Sequence, residues 1–194
     1  MQYLVFDDMT QCTADEVKRL LPCVSVQRRE QALKYAHIFG QFCCLKSYAM
    51  LLLLLQQYDR YQNTLPEFVY TDYGQPQLAD GPYFSISHCR NGIAVAIDEN
   101  PIGIDIESIR TRLLDGGFVA KVMNSYEQSQ IEHSLQPEWV FTRLWTQKEA
   151  LLKMRGTGIV GSIKDTLVMY PNVSFITEEN SDKQYVLTIA KSTI

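Results

Sequence analysis

The sequence predicts an α+β protein made of two similar halves, residues 1–100 and 101–194. Its 194 residues are 46% hydrophobic and 21% charged, which is typical of a soluble globular chain with a sizeable core. In each half, segments with helical patterns are followed by β-rich segments. We therefore expect helices packed on antiparallel strands, with the join near Glu99–Pro101. No residue-level repeat relates the two halves.

In the first half, a strand is followed by three helices and then by β-rich segments. Thr13 is a favourable helix N-cap, with two acidic residues in the turn that follows it. The apolar run Ala49–Leu55 is far shorter than the ~20 residues that cross a bilayer, so it predicts a buried helix. Asn91 and Gly92 form a strong hairpin signal. The predicted elements are a strand at Gln2–Phe6, helices at 13–21, 27–35 and 40–58, and strands at 67–71, 83–87 and 93–97.

The second half repeats this order after a turn at Asp98–Pro101. Its predicted elements are a strand at 102–107, helices at 118–123, 126–135 and 141–156, and strands at 166–170, 173–177 and 184–190.

Charge and cysteine usage exclude several classes of protein. The net charge of −4 argues against broad electrostatic contact with nucleic acid. Five cysteines, an odd number in mostly apolar surroundings, favour reduced thiols over a disulfide framework. The opening residues MQYLVFDDMT lack the basic region and long apolar core of a signal peptide. We therefore expect a cytoplasmic protein that contacts neither nucleic acid nor a membrane.

The segment IGIDIE, Ile102–Glu107, predicts a strand with chemistry on one face. Alternation sends three isoleucines into the core and leaves Asp105 and Glu107 on the other face, about 6.6 Å apart. Gly103 on that face leaves space for another group, and neither acid has an obvious basic neighbour. Two hard oxygen ligands beside a gap suit Mg²⁺, although an ordinary amphipathic strand also places its acids outside.

The helical segment FTRLWTQKEALLKMRGTG, Phe141–Gly158, supplies a third acid. Trp145, Glu149 and Lys153 follow at intervals of four and so lie on one stripe of the helix. Glu149 and Lys153 are either an exposed ion pair of little energetic weight, or a metal ligand and a phosphate ligand acting on one substrate. We interpret Trp145 as a packing residue.

Together these two segments resemble the 4′-phosphopantetheinyl transferases, specifically the larger type built as a pseudo-dimer of two similar halves. Gly103–Glu107 matches the family's GIDIE-like segment, and about forty residues later Trp145–Gly158 matches its W-(S/T)-x-K-E-(A/S)-x-x-K-x-x-G-x-G helix. FSISHC, Phe84–Cys89, and YGQP, Tyr73–Pro76, are similar to two further motifs of the family. The resemblance covers most of the chain and thins after about Gly161.

The resemblance implies an active site in the cleft between the halves. There coenzyme A binds with Mg²⁺, the serine hydroxyl of an apo acyl or peptidyl carrier protein attacks the β-phosphate, and 3′,5′-ADP leaves. It implies Asp105, Glu107 and Glu149 as metal ligands and Lys153 as a ligand of a phosphate oxygen. Asp105, Glu149 and Lys153 are then the catalytic group. For Glu149, we rank metal ligand above acceptor of the serine proton.

Other site residues follow from the same resemblance. Ser87 and His88 match the family's contacts to the 3′-phosphate of coenzyme A, and Arg28 matches a basic residue that reaches the same nucleotide. Lys148 either faces solvent or supports the carboxylates, and Glu127 has at most a weak supporting role.

Three positions are less basic than the family pattern. Gln31, Cys43 and Gln75 stand where lysine, arginine and lysine are common. Each lost charged hydrogen bond would weaken nucleotide binding by roughly 1.5–3 kcal/mol, although Lys34 and Lys46 are near enough in sequence to compensate. We therefore expect catalysis with reduced affinity for coenzyme A, or with a loose preference for its 3′-phosphate.

A carrier protein needs a docking surface. Such carriers are usually acidic and this chain is itself negative, so a local basic and apolar patch would have to recognise them. A solvated charged surface explains the same residues equally well. The patch predicted just after the carboxylate strand consists of Arg110, Arg112, Leu113, Leu114, Phe118, Lys121 and Met123.

Three alternatives are weighed against this hypothesis. A thiol hydrolase would need Cys89 and His88, but adjacent strand residues point to opposite faces. A degenerate relative would bind nucleotide or carrier protein without turnover, and the loss of basic residues at positions 31, 43 and 75 favours this alternative. The short holo-carrier synthase is a trimer of single units, whereas this chain shows the order of elements twice. A monomer is therefore expected.

Overall fold

The computed structural model describes residues 1–110, 114, 117–158, 162–170 and 172–193, and within them the fold is α+β as predicted. The first half contains β1 (Gln2–Phe6), α1 (Ala14–Leu20), α2 (Val26–Leu33), α3 (Ile38–Leu55), β2 (Phe68–Tyr70), β3 (Pro76–Leu78), β4 (Tyr83–Cys89) and β5 (Gly92–Asp98). The second half contains β6 (Ile102–Ser108), α4 (Gly117–Val122), α5 (Ser125–Glu132), α6 (Pro137–Arg155), α7 (Thr166–Met169), β7 (Val173–Asn180) and β8 (Tyr185–Ser192).

The two halves share one strand connectivity. In the first antiparallel sheet β1 pairs with β5, and β5 pairs with β4. In the second sheet β6 pairs with β8, and β8 pairs with β7. Each half therefore pairs its first strand with its last, and its last with the one before. This agreement supports the expected similarity of the halves, while the boundary at residue 100 stays a prediction.

The two sheets stack against each other between layers of helices. One face of the first sheet, with Ile93 and Val95, packs on α1–α3. Its opposite face, with Ala94 and Ala96, packs on the isoleucines of β6. The other face of β6 packs on α6. The predicted isoleucine face is therefore buried in the core between the sheets.

Helix α3 is a core helix. Among the helices in the described ranges, it is the one that is long and apolar enough to cross a membrane by length and composition. In this fold more than half of it is buried, including Phe42, Leu45, Tyr48 and Leu51. A helix that is apolar on most sides needs protein on most sides, and α1, α2 and the first sheet supply it.

Local signals located several element ends correctly. The Thr13 hydroxyl accepts a hydrogen bond from the Glu16 amide at 3.2 Å and so caps α1. Helix α6 ends at Gly156, whose φ of 69° lies in the left-handed region that favours glycine. The Asn91–Gly92 hairpin joins β4 to β5.

The predicted strand at 166–170 is wrong, because residues Thr166–Met169 form the short helix α7. The amides of Val168 and Met169 both donate to the carbonyl oxygen of Asp165, at 3.0 and 2.9 Å. The Thr166 hydroxyl donates to the Ile163 carbonyl at 2.9 Å. These local hydrogen bonds outweigh the β-propensity of the segment. Strand β3, which pairs with β2, was not predicted.

Gly103 does not leave a gap for a ligand, as the sequence had suggested. A Cβ atom added to Gly103 would lie 1.8 Å from the carbonyl oxygen of Ala150 and 2.5 Å from the amide nitrogen of Met154. The backbone of α6 therefore fills that space. This close approach seats α6 on β6 and brings the Glu149–Lys153 stripe beside the strand's carboxylates.

Candidate functional site

One cavity of about 480 Å³ gathers the seven residues predicted as metal ligands or nucleotide contacts. Both halves contribute residues to its lining, so the cavity lies where the two halves meet. The first half supplies Arg28, Ser87 and His88, and the second supplies Asp105, Glu107, Glu149 and Lys153. The predicted stripe on α6 is confirmed, because Trp145 lines the same cavity as Glu149 and Lys153.

The edge strands β4 and β6 meet at the floor of the cavity. The Ile104 amide donates to the Ser85 hydroxyl at 3.0 Å, so the two strands are joined across the halves. Two residues further on, the Ser87 hydroxyl donates to Asp105 Oδ1 at 2.8 Å. This register places a serine of the first half directly beside a carboxylate of the second.

Lys153 completes a three-residue cluster with Asp105 and Ser87. Its Nζ donates to Asp105 Oδ1 at 2.7 Å and to the Ser87 hydroxyl at 2.9 Å. The expectation that neither strand acid has a basic neighbour is therefore wrong for Asp105. The Asp105 side chain is only 4% exposed, whereas that of Lys153 is 28% exposed. The ammonium group thus remains accessible from the cavity while it neutralises the buried carboxylate.

The other two carboxylates are held close to Asp105 in a partly buried setting. Burial, and then the charge of Asp105, raises the pKa of Glu107 to about 7. The same two causes raise the pKa of Glu149. Like charges that share a poorly solvated site resist ionisation, so a cation that entered the cavity would stabilise all three carboxylates.

The donor set suits Mg²⁺ in chemistry, but the protein does not present a closed metal cage. In the ranges that the structure describes, no three metal-ligating side chains are grouped closely enough to hold an ion. Asp105 Oδ2 is buried and has no hydrogen-bond partner among those residues. An unpaired carboxylate oxygen beside Glu107 and Glu149, two carboxylates with raised pKa, fits a cation that binds few protein ligands and keeps waters or phosphate oxygens in its coordination shell. The predicted metal site stays a prediction.

Two hydrogen bonds to helix α3 hold the Arg28 side chain in place. Its Nε donates to the carbonyl oxygen of Cys44 at 2.9 Å, and its Nη2 donates to the Ser47 hydroxyl at 3.0 Å. The guanidinium group also lies over the Phe68 ring, 5.4 Å from the centroid. Sequence reasoning missed Ser47, although a serine just before the apolar run Ala49–Leu55 was a usable signal.

His88 and Cys89 lie on opposite sides of β4. His88 lines the cavity, with its ring edge-on to Phe39 at 6.0 Å. Displacement of water by neighbouring protein lowers the pKa of His88, and the positive charge of Lys153 lowers it further. Cys89 is buried in the core between the sheets, and burial raises its pKa. This arrangement gives no support to a thiol nucleophile.

Lys148 neither faces solvent nor supports the cavity carboxylates, so both expectations for it are wrong. Its side chain is fully buried, and its Nζ lies 2.7 Å from Glu127 Oε2. It also donates to the backbone carbonyls of Val122, Ile163 and Lys164 at 3.0, 3.1 and 2.6 Å. Glu127, expected to be marginal, is the buried partner of this lysine. The pair joins α5, α4 and the segment before α7 to α6.

The structure locates two of the three less basic positions, Cys43 and Gln75, while their effect on coenzyme A binding stays a prediction. Cys43 is fully buried in the core of the first half, and its neighbour Cys44 is the one that lines the cavity. Gln75 donates its side-chain amide to the backbone carbonyl of Lys153 at 2.6 Å.

The predicted carrier patch is only partly supported. Met123 is fully buried and therefore cannot belong to a docking surface. Phe118 is 37% exposed, with its ring 5.7 Å from that of Trp145. Arg110 is half-buried, Lys121 is exposed, and both stay in the predicted patch. The predicted patch members Arg112 and Leu113 lie outside the described residues.

Comparison with known proteins finds related sequences. Residues 101–191 match the family described as the 4′-phosphopantetheinyl transferase superfamily. The chain is 27% identical over 149 residues to 4′-phosphopantetheinyl transferase ffp of Bacillus subtilis. It is 26% identical over 149 residues to 4′-phosphopantetheinyl transferase Sfp of Bacillus subtilis, strain 168. It is 37% identical over 104 residues to 4′-phosphopantetheinyl transferase AcpT of Salmonella typhimurium.

These similarities cover different shares of each protein. The alignments to ffp and Sfp cover 75% of this chain and 66% of each relative. The alignment to AcpT covers 50% of this chain and 54% of the relative. The family match over residues 101–191 and these relatives confirm the resemblance to the 4′-phosphopantetheinyl transferases that the strand and helix motifs carry.

Proposed function

We propose that this protein transfers the 4′-phosphopantetheine arm of coenzyme A to a serine hydroxyl of an apo acyl or peptidyl carrier protein, with Mg²⁺, and releases 3′,5′-ADP. The observation that carries the proposal is the single cavity between the halves. It brings together seven residues that the sequence singled out from four separate segments of the chain.

Phosphoryl transfer depends mainly on positioning and on neutralisation of charge. Lys153 can turn its ammonium group from Asp105 and Ser87 toward a phosphate oxygen, because it is partly exposed to the cavity. Arg28 retains N–H groups beyond the two that α3 engages, and these can donate to an anionic nucleotide. His88 lines the same cavity and can donate from its ring.

Asp105, Glu107 and Glu149 are the residues that would hold Mg²⁺, with Asp105 Oδ2 as the free buried acceptor. When bound, the ion would neutralise charge on the diphosphate and on the departing nucleotide. The raised pKa of Glu149 also suits a carboxylate that accepts the serine proton, although we rank this role below that of ligand.

A mass assay tests the proposal directly. The protein is incubated with Mg²⁺, coenzyme A and each of several apo carriers from fatty-acid, polyketide and peptide synthesis. We expect at least one carrier to gain the mass of one phosphopantetheine arm, with release of an equal amount of 3′,5′-ADP. Removal of the cation with a chelator should abolish the gain in carrier mass. If no carrier gains mass, the proposed transfer is rejected and a non-catalytic binding protein is favoured.

Matched variants assign the roles within the cavity. Glu149→Gln should reduce transfer at least about tenfold and should weaken Mg²⁺ binding measured by calorimetry. Glu138→Gln changes the same residue type in the first turn of α6, outside the cavity, and should leave both values unchanged. Equal activity of the two variants would remove Glu149 from the site.

The same preparation tests three further proposals. We propose that coenzyme A binds despite the less basic pattern, and comparison of its Kd with that of 3′-dephospho-coenzyme A measures the reliance on the 3′-phosphate. A strong normal preference would contradict a loosened 3′-phosphate site. We also propose a cytoplasmic monomer that contacts no nucleic acid or membrane. Light scattering and cell fractionation measure the oligomeric state and location.

A further inference from the structure

Gln75 joins the β2–β3 hairpin of the first half to the end of α6 in the second half. Its side-chain Nε2 donates to the backbone carbonyl of Lys153 at 2.6 Å. A Cβ atom added to Gly156 would lie 2.5 Å from Gln75 Oε1, so the amide sits directly against the left-handed end of the helix. The side-chain amide of Gln75 thus bonds to the last turn of α6 through Nε2 and lies beside its C-cap glycine through Oε1.

The backbone of Gln75 is itself held in place. Its amide donates to the Thr71 hydroxyl at 3.1 Å, and its carbonyl accepts from the Thr71 amide at 3.0 Å. Gly74, with φ of 76°, makes the tight turn between them. The side chain therefore starts from a closed turn, which lowers the entropy lost when its amide bonds to α6.

Lys153 is held at both ends as a result. Its Nζ bonds to Asp105 and Ser87 at 2.7 and 2.9 Å, while its carbonyl receives the Gln75 amide and the Gly156 amide at 2.6 and 3.2 Å. The carbonyl belongs to the last turn of α6, where carbonyl groups lack partners within the helix. Gln75 supplies one of the missing donors from the other half of the protein.

We propose that Gln75 is a positioning residue that acts through Lys153. By fixing the last turn of α6, it keeps the Lys153 ammonium aimed into the cavity. The role differs from the nucleotide contact whose loss the sequence suggested. The inference deepens the proposed function and rests on it where substrate is used.

A double-mutant cycle on coenzyme A binding tests the inference. Gln75→Glu preserves size but removes the donor, since a carboxylate cannot donate to a carbonyl. Because a net hydrogen bond is worth a two- to tenfold change, we expect Kd for coenzyme A to rise about threefold to tenfold in Gln75→Glu. In the Lys153→Met background the same change should have less than about a twofold effect. Equal effects in both backgrounds would overturn the proposal.

Two controls separate positioning from folding and from charge. Gln75→Ala removes the donor without adding a negative charge, and it should also raise the Kd for coenzyme A. Gln77→Glu adds the same charge two residues away, on an exposed side chain outside the cavity, and should leave Kd unchanged. If Gln77→Glu raises Kd as much as Gln75→Glu, charge rather than positioning is responsible.

Hydrogen exchange provides a readout that needs no substrate. The Gly156 amide and its neighbours in the last turn of α6 should exchange at least threefold faster in Gln75→Ala than in the wild type. Unchanged exchange would overturn the proposal even if the protein proves to bind no coenzyme A. Conversely, faster exchange in a protein that modifies no carrier would reject the proposed function and leave the Gln75 contact established.

Discussion

The buried pair Lys148–Glu127 makes a stability prediction that is independent of activity. We expect Lys148→Met, which keeps an unbranched side chain only one heavy atom shorter, to destabilise the protein strongly. The substitution leaves the Glu127 carboxylate, only 5% exposed, without its counter-charge. It also removes the donor from the carbonyls of Val122, Ile163 and Lys164.

The size of the destabilisation depends on which hydrogen bonds Glu127 keeps. Removal of one partner from a buried ion pair costs about 3–5 kcal/mol. Glu127 still accepts a hydrogen bond from the Asn124 amide at 2.8 Å, so we expect the lower end, about 3 kcal/mol. At about 2–4 °C per kcal/mol for a chain of this size, Tm should fall by about 6–12 °C.

Urea unfolding with linear extrapolation measures the change in the free energy of unfolding. Lys121→Met alters an exposed lysine on α4 and should change it by less than about 0.5 kcal/mol. The double variant Glu127→Gln/Lys148→Met buries no charge and should be more stable than Lys148→Met alone. If Lys148→Met is as stable as Lys121→Met, the ion pair contributes nothing and the reasoning fails.

Three further predictions follow from packing and from the cavity. Gly103→Ala should lower the free energy of unfolding by about 3 kcal/mol or more, because the added Cβ would clash with the backbone of α6. Gly117 has open space around it, so Gly117→Ala should leave the free energy of unfolding nearly unchanged in the same urea assay. Burial raises the pKa of Cys43 to about 12, whereas Cys23 is exposed. Iodoacetamide at pH 8 should therefore modify Cys23 in the native protein and Cys43 only after unfolding, as measured by peptide mass spectrometry. Equal rates of modification at the two cysteines would contradict the buried position of Cys43. Arg28→Met should raise Kd for coenzyme A about tenfold or more in calorimetry, through loss of a charged donor, and an unchanged Kd would exclude Arg28 from the nucleotide site.

Local patterns in the sequence predicted the faces of single elements. The period of two in Ile102–Glu107 separated the isoleucines from the carboxylates, and the spacing of four placed Glu149 and Lys153 on one stripe. Both predictions are confirmed, because each depends only on backbone geometry within one element. The Thr13 cap and the Gly156 helix end are confirmed for the same reason.

Contacts between distant segments were decided by tertiary packing. Nothing in the local pattern showed that Lys148 would turn away from the cavity to Glu127, since both faces of α6 are covered by protein. Gly103 was correctly seen to admit a close neighbour, but the neighbour is the backbone of α6. Gln75 was interpreted as a lost charge, whereas its amide bonds to a carbonyl 78 residues away.

The sequence by itself therefore determined which chemical groups this protein carries and which of them share a face, because side-chain direction follows from the period of a helix or strand. Only the tertiary structure decided which groups meet across the two halves. The meeting of Asp105, Ser87 and Lys153 depends on how closely α6 approaches β6 and how β4 aligns with β6. Those distances are set by packing of surfaces that are far apart along the chain, and no local period encodes them.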